Sequence, residues 1–240
     1  MKAIEMRGLT KEYKDVVAVD NLNLVIYKGE LVSLLGVNGA GKTTTIKMLS
    51  GLLKPTRGDA IINGKSICED MSYIKSIIAI SPQESAVSLT LSVKENLELI
   101  CGLHGFKKDK TKEKVEELIE ILDLKSVINK KASKLSGGYI RRLSIAMSLI
   151  SEPEVLFLDE PTLGLDVISR SELWNIIKSL KGKVTIILTT HYMEEAEKLS
   201  DRIAIMKNGK LLVCDTVSNI KGSVKVNSIE EAFIQIVKGV

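Results

Sequence analysis

The sequence predicts an α/β fold: a mainly parallel sheet with flanking helices, a small N-terminal antiparallel β lobe and an inserted α-helical lobe. Three observations carry that expectation. Residues 31–35, 77–80, 155–158 and 184–188 are short and almost wholly apolar, as parallel strands covered on both faces must be. Between them run helical periods, Val115, Leu118, Ile119 and Leu122, then Leu173, Ile176, Ile177 and Leu180, each spaced i, i+3, i+4, i+7. From about residue 93 to 150 the helical patterns follow one another without an apolar strand run, which marks an insertion in the alternating core.

In chain order, Leu22, Leu24 and Ile26 alternate with Asn23 and Val25, the pattern of a strand with one buried face, so the antiparallel lobe is expected within the first thirty residues. The strand at 31–35 runs straight into a glycine-rich turn and then a helix. Ser136-Gly137-Gly138 opens a helix carrying Ile140, Leu143, Met147 and Ile150 on one face. Asn208-Gly209, between apolar runs at 203–206 and 211–214, reads as a hairpin turn. A last helix presents Ile229, Ala232, Phe233 and Ile236. These elements are expected to form one domain over 1–240, with the helical lobe at about 84–152 and no internal repeat.

A 240-residue chain that is 45% hydrophobic can bury a sizeable core. Its apolar runs fall far short of the roughly 18 residues that span a bilayer, and its start interleaves charges with apolar residues instead of forming a secretion segment; residence in the cytosol is expected. Cys68, Cys101 and Cys214 are scattered without partners and read as reduced packing residues. The net charge of +4 is mild and the lysines are dispersed apart from pairs such as Lys107-Lys108 and Lys130-Lys131, so no nucleic-acid stripe is expected.

Gly36-Val37-Asn38-Gly39-Ala40-Gly41-Lys42-Thr43 has phosphate-loop spacing and stands between a strand and a helix, where the mechanism needs it. Its glycines let successive backbone N–H groups turn around an anion, and the helix N-terminus adds its positive dipole end. Lys42 would neutralise terminal phosphates and Thr43 would ligate magnesium. The core is thereby read as a P-loop NTPase core.

The strand at 155–158 ends in Asp159 and Glu160, at the carboxyl edge where open α/β sheets bind ligands. Such acids could cap a following helix; beside a phosphate loop, Asp159 is suited to magnesium and Glu160 to taking a proton from an attacking water. His191 leaves the strand at 184–188 through Thr189-Thr190 toward the same edge and could contact the γ-phosphate. His104 shows no such placement and reads as structural.

Leu135-Ser136-Gly137-Gly138-Tyr139 closely resembles the Leu-Ser-Gly-Gly-Gln signature of ATP-binding cassette (ABC) ATPases, and the resemblance covers nearly the whole chain. Tyr13 stands where that family places an adenine-stacking aromatic, Gln83 resembles its glutamine loop, Leu165-Asp166 its D-loop and His191 its switch histidine. The resemblance implies a cofactor set of ATP and magnesium. Nucleotide would be bound by Tyr13, Gly36, Asn38, Gly39, Ala40, Gly41, Lys42, Thr43, Thr44, Ser136, Gly137, Gly138 and Asp166, magnesium by Thr43, Gln83 and Asp159, with Glu160, His191 and Gln83 as catalytic residues.

It further implies a head-to-tail dimer, of two copies of this chain or of two different ATP-binding subunits, in which the phosphate loop of one subunit and the signature of the other enclose each ATP, and a separate transmembrane permease whose coupling helix meets the helical lobe. The chain would sit at the cytoplasmic face of the membrane. Tyr139 departs from the signature glutamine, but lies beside the serine and glycines. Leu91-Ser92-Val93-Lys94-Glu95-Asn96-Leu97 and the run from Thr189 to Glu197 look like the branch that exports drugs, antibiotics, lipids or polysaccharides. A soluble ABC ATPase acting on ribosomes or DNA would typically carry two cassettes or a coiled-coil insertion. A GTPase needs Asn-Lys-x-Asp, which Asn129-Lys130-Lys131-Ala132 lacks, and a non-hydrolysing binder would be expected to lose Glu160 or His191.

Overall fold

The structure, a computed structural model, describes residues 1–239. The chain opens with β1 (Lys2–Tyr13) and β2 (Val16–Tyr27), followed by β3 (Leu31–Leu35), α1 (Lys42–Leu49), β4 (Arg57–Ile62), β5 (Lys65–Ser66), α2 (Met71–Ile77) and β6 (Ile78–Ser81). The helices α3 (Val93–Leu103), α4 (Lys108–Ile121) and α5 (Gly137–Leu149) come next. Then β7 (Val155–Asp159), α6 (Val167–Leu180), β8 (Thr185–Thr190), α7 (Met193–Leu199), β9 (Arg202–Lys207), β10 (Lys210–Asp215), α8 (Val217–Ser223) and α9 (Ile229–Lys238) complete it.

The strands make two sheets, a six-stranded one ordered β10-β9-β3-β8-β7-β6 and a four-stranded antiparallel one ordered β2-β1-β4-β5. In the larger sheet β9 and β10 form an antiparallel hairpin and the remaining neighbours are parallel. Every residue of β3, β7 and β8 is buried. The reason is visible in β7: Leu156 and Leu158 pack with the helical segment, while Val155 and Phe157 pack with the antiparallel sheet. A strand apolar on both faces loses its alternation, hence the uniform runs in the sequence.

The antiparallel sheet extends beyond the first thirty residues, because β4 pairs onto β1 and β5 onto β4. The period of β4 is disguised by Gly58, whose φ of +74° and close approach to the Gly8 carbonyl leave no room for a Cβ. The pairing of β1 with β4 shifts register at that point, so a bulge replaces clean alternation. In β2 the expectation holds, with Leu22, Leu24 and Ile26 buried and Asn21, Asn23 and Tyr27 exposed. Two other strands are displaced by a residue or two from their expected positions: β6 starts at Ile78, and β8 runs on through the buried Thr189 and Thr190, which puts His191 directly at its end.

Helix α5 departs from a one-faced pattern, since Arg141, Arg142 and Ser144 are buried along with Leu143, Ile145, Ala146 and Leu149. The Asn208-Gly209 turn has φ of 48° and 78°, the paired left-handed conformations of a tight hairpin. On α9, Ile229, Ala232 and Phe233 are buried and Ile236 packs on them, while α8, absent from the sequence reading, contributes Ile220 to the same cluster. Of the cysteines, Cys101 is buried and Cys214 half-buried, but Cys68 is exposed, so it is not the packing residue expected. Among the described residues no helix is long and apolar enough to cross a membrane.

Candidate functional site

The phosphate loop is built by close approach of backbones. A Cβ on Gly36 would lie 2.5 Å from the Met206 carbonyl oxygen, and one on Gly41, at φ +99°, 2.5 Å from that of Ala18. The loop is braced from behind by the β9–β10 turn: Gly209 N–H donates to Ala40 O (3.1 Å), and Asp20 N–H to Gly209 O (2.9 Å). From the first turn of α1, Lys42 Nζ folds back to donate to Gly36 O (2.7 Å) and Val37 O (3.3 Å). Thr45 N–H takes Gly41 O, and the amides before it, at the open end of α1, have no intrahelical acceptor.

At the carboxyl end of β7, Asp159 Oδ1 accepts from Thr43 Oγ1 at 3.1 Å and from Thr189 Oγ1. Glu160 is buried and holds a left-handed φ of 49°, a strained geometry for a residue with a side chain. Thr189 fixes it, with Glu160 N–H donating to the Thr189 carbonyl (3.2 Å) and Oγ1 (3.0 Å). The carboxylate then points back: Oε1 lies 3.6 Å from Lys42 Nζ and Oε2 lies 2.7 Å from His191 Nδ1. An ionised carboxylate only accepts, so the bond assigns the proton to Nδ1. Burial pushes the Lys42 ammonium below its ordinary range, and the Glu160 and Asp159 charges oppose that shift.

Lys42, Thr43, Glu160 and His191 line one cavity of about 340 Å³ with Asn38, Gly39, Ala40, Gly41, Thr44, Gln83 and Leu163, and Asp159, outside the lining, is joined to it through its bond with Thr43. The helix-capping alternative for Asp159 and Glu160 fails, because Asp166 caps α6 by accepting from Ile168 N–H (2.9 Å) and Ser169 N–H (3.0 Å). Tyr13, Ser136, Gly137, Gly138 and Asp166 do not line the cavity. Tyr13 is half-exposed at the end of β1, with the Lys11 ammonium 5.3 Å from its ring. Ser136 and Gly137 are exposed at the start of α5, where Ser136 makes no side-chain cap. Gly138 is buried close to Ser169, and the exposed His104 packs beside Phe106.

Three contributors were not legible in the sequence. Arg141, buried, donates to Pro82 O (2.7 Å) and Gln83 O (2.9 Å), tying α5 to the segment that carries Gln83. Glu195, fully buried on α7, accepts from Thr162 Oγ1 (2.7 Å) and Trp174 Nε1 (3.1 Å) behind the Glu160–His191 pair. Leu163 adds an apolar wall.

The residues present fit a magnesium nucleotide. Unpaired amides at a helix start and a desolvated ammonium held only by main-chain oxygens and a carboxylate suit a polyphosphate. Among the described residues no cluster of three His, Cys, Asp or Glu could cage a metal, which agrees with an ion held by one or two side chains plus phosphate oxygens.

The family pattern described as ABC transporter matches residues 19–163, more than half of the chain. A daunorubicin resistance ATP-binding protein, DrrA3 of Streptomyces coeruleorubidus, is 40% identical over 220 residues, covering 91% of this chain and 70% of that protein. The human phospholipid-transporting ATPase ABCA3 is 44% identical over 215 residues, and a probable multidrug ABC transporter ATP-binding protein of Escherichia coli, YbhF, 38% over 240. The chain spans 13% and 41% of the lengths of those two proteins. Among solved structures, an ATP-binding subunit of an ABC transporter superposes with a TM-score of 0.85 at 27% identity, covering 98% of this chain and 99% of that one. A dimeric ATP-binding cassette in a post-hydrolysis state with ADP and Pi gives 0.79 at 27%, covering 89% and 98%.

Proposed function

The chain belongs to the ABC transporter family, and from that premise we propose that it is the ATP-binding and hydrolysing subunit of a transporter, acting through a separate membrane permease. The observation that carries this reading is the convergence of Lys42, the Thr43–Asp159 pair and the Glu160–His191 pair on one cavity. Magnesium ATP, when bound, supplies the phosphoanhydride bond whose cleavage drives the cycle.

Lys42 and the loop amides bind the phosphate chain, while Thr43, Asp159 and Gln83 hold magnesium. Glu160 Oε1 or Oε2 takes the proton from the attacking water, and His191 keeps that carboxylate aimed. With Nδ1–H given to Glu160, the remaining nitrogen of a neutral His191 is an acceptor, so a bond from it to a phosphate oxygen requires a second proton.

Because Ser136, Gly137 and Gly138 stand at the start of α5, outside the cavity lining, their phosphate-binding role belongs to the site of a second subunit, together with Asp166, which caps α6 and bonds the Ser169 that lies against Gly138. One chain carries both halves of the site, which supports a homodimer with two complete sites, peripheral on the cytoplasmic face of the membrane. Tyr13, exposed at the end of β1, contributes adenine stacking in this reading. The names of the drug-resistance and lipid-transporting relatives support export of an apolar or amphipathic cargo by the permease.

The test is to express a tagged Glu160→Gln form in its native cells, extract it in mild detergent with magnesium ATP, and identify what co-purifies. A multi-span membrane protein supports the transporter reading. Ribosomal or DNA-repair proteins in its place would keep the ATPase chemistry and overturn the transport function.

A further inference from the structure

His191 is held from two sides. Its Nδ1 bonds to Glu160 (2.7 Å), and the ring of Tyr192 packs against the imidazole, with centroids 4.2 Å apart and planes at 41°. Over the same Tyr192 ring, 4.8 Å from its centroid, sits the guanidinium of Arg170. Arg170 Nη2 donates to Leu165 O at 3.4 Å, and its Nε is buried without a partner. The Tyr192 backbone is fixed by its N–H donating to Thr190 Oγ1 (2.9 Å), whereas its hydroxyl makes no hydrogen bond among the described residues.

A single hydrogen bond does not hold an imidazole that is 32% exposed, since the ring can pivot about that bond or swing toward water. A second contact on the ring face removes that freedom. The Tyr192 ring supplies the contact, and the attraction of the Arg170 cation to that same ring restrains the phenol from turning away. Arg170 lies in the first turn of α6, with its N–H on Asp166 O (3.0 Å), so the backing is rigid.

We propose that Tyr192, backed by Arg170, is a positioning residue for the Glu160–His191 pair: its ring holds the imidazole on the carboxylate, and Arg170 anchors that ring to Leu165 and the start of α6. The proposal rests on the roles given above to Glu160 and His191.

The full-length chain is assayed for magnesium-dependent ATP hydrolysis and for binding of a fluorescent ATP analogue, as wild type, His191→Ala, Tyr192→Ala, Tyr192→Phe, Arg170→Gln and the Tyr192→Ala/His191→Ala double variant. Tyr192→Ala is expected to lower kcat by about ten- to a hundredfold, the scale of a small misplacement of a catalytic group, with the Kd held within about twofold. Tyr192→Phe, which keeps the ring, recovers most of that loss, and the double variant is no slower than His191→Ala alone. Unchanged kcat in Tyr192→Ala beside a slowed His191→Ala overturns the positioning role and leaves the reading of His191 standing. Unchanged kcat in His191→Ala overturns that underlying reading itself. Should Tyr192→Ala not fold, Arg170→Gln decides: a lowered kcat at unchanged Kd supports the stack, and a wild-type kcat overturns it.

Discussion

Lys42 Nζ lies 3.6 Å from Glu160 Oε1, and the two side chains are only 6% and 9% exposed. Each is the other's nearest counter-charge across the cavity, so an incoming phosphate that takes Lys42 also releases Glu160 for a water. Lys42→Ala removes the buried charge a polyphosphate would meet and is expected to raise the Kd for ATP about tenfold or more, measured by titration with a fluorescent analogue. An unchanged Kd would contradict the phosphate-loop reading.

Glu160→Gln keeps the side chain's shape but cannot take a proton. Hydrolysis is expected to slow by about a hundredfold to ten-thousandfold, the usual worth of a general base, while ATP affinity is retained. Phosphate release measured beside binding separates the two effects, and normal turnover would sink the assignment.

Arg141 grips two consecutive carbonyls, those of Pro82 and Gln83, and burial lowers its pKa, with Asp159 and Glu195 opposing the shift. A lysine offers one point charge where the guanidinium offers a fork. Both Arg141→Lys and Arg141→Gln are therefore expected to destabilise the chain by about 2 kcal/mol, because the Pro82 and Gln83 carbonyls lose a charge-assisted donor. The urea midpoint reads that loss, and faster amide exchange at Gln83 and Glu84 would localise it.

Burial pushes the Glu195 carboxyl above the ordinary carboxylate range, with bonds from Thr190, Thr162 and Trp174 acting against it. The folded chain therefore keeps a proton that the unfolded chain has already released. That contribution to stability is complete below the ordinary carboxylate range and is lost as pH rises through the raised value. Glutamine has no proton to lose, so the melting temperature of Glu195→Gln minus that of wild type is expected to grow as pH rises from about 4 to about 8. A flat difference would mean that Glu195 is ionised and fully paired.

Elements with one environment along their length were legible in the sequence. The buried strands β3 and β7, the period of α4 and α6, and the Asn208-Gly209 turn each reflect a single local rule. Mixed environments hid the rest: Gly58 bends β4 where alternation would have exposed it, and the buried threonines 189 and 190 read as the end of a strand they in fact extend. In the site, the phosphate loop, Asp159 and Glu160 were legible because spacing along the chain fixes their geometry. Arg141 and Glu195 were not, because a charged residue reads as surface until its partners, Pro82 and Gln83 or Thr162 and Trp174, are brought to it by residues far away in the chain.

The brace behind the phosphate loop also has a meaning in time. Residues 36–43 are synthesised well before the groups that shape them, Thr190 at the end of β8, Met206 against Gly36 and Gly209 on Ala40. Strand β3 itself lies between β8 and β9, so it has no neighbour in its sheet until β8 has been synthesised and lacks the second until β9 follows. A nascent chain halted before residue 209 therefore carries the full phosphate-loop sequence without its shape. The native shape of the phosphate loop therefore depends on the β9–β10 hairpin, a segment far downstream of the loop in the chain.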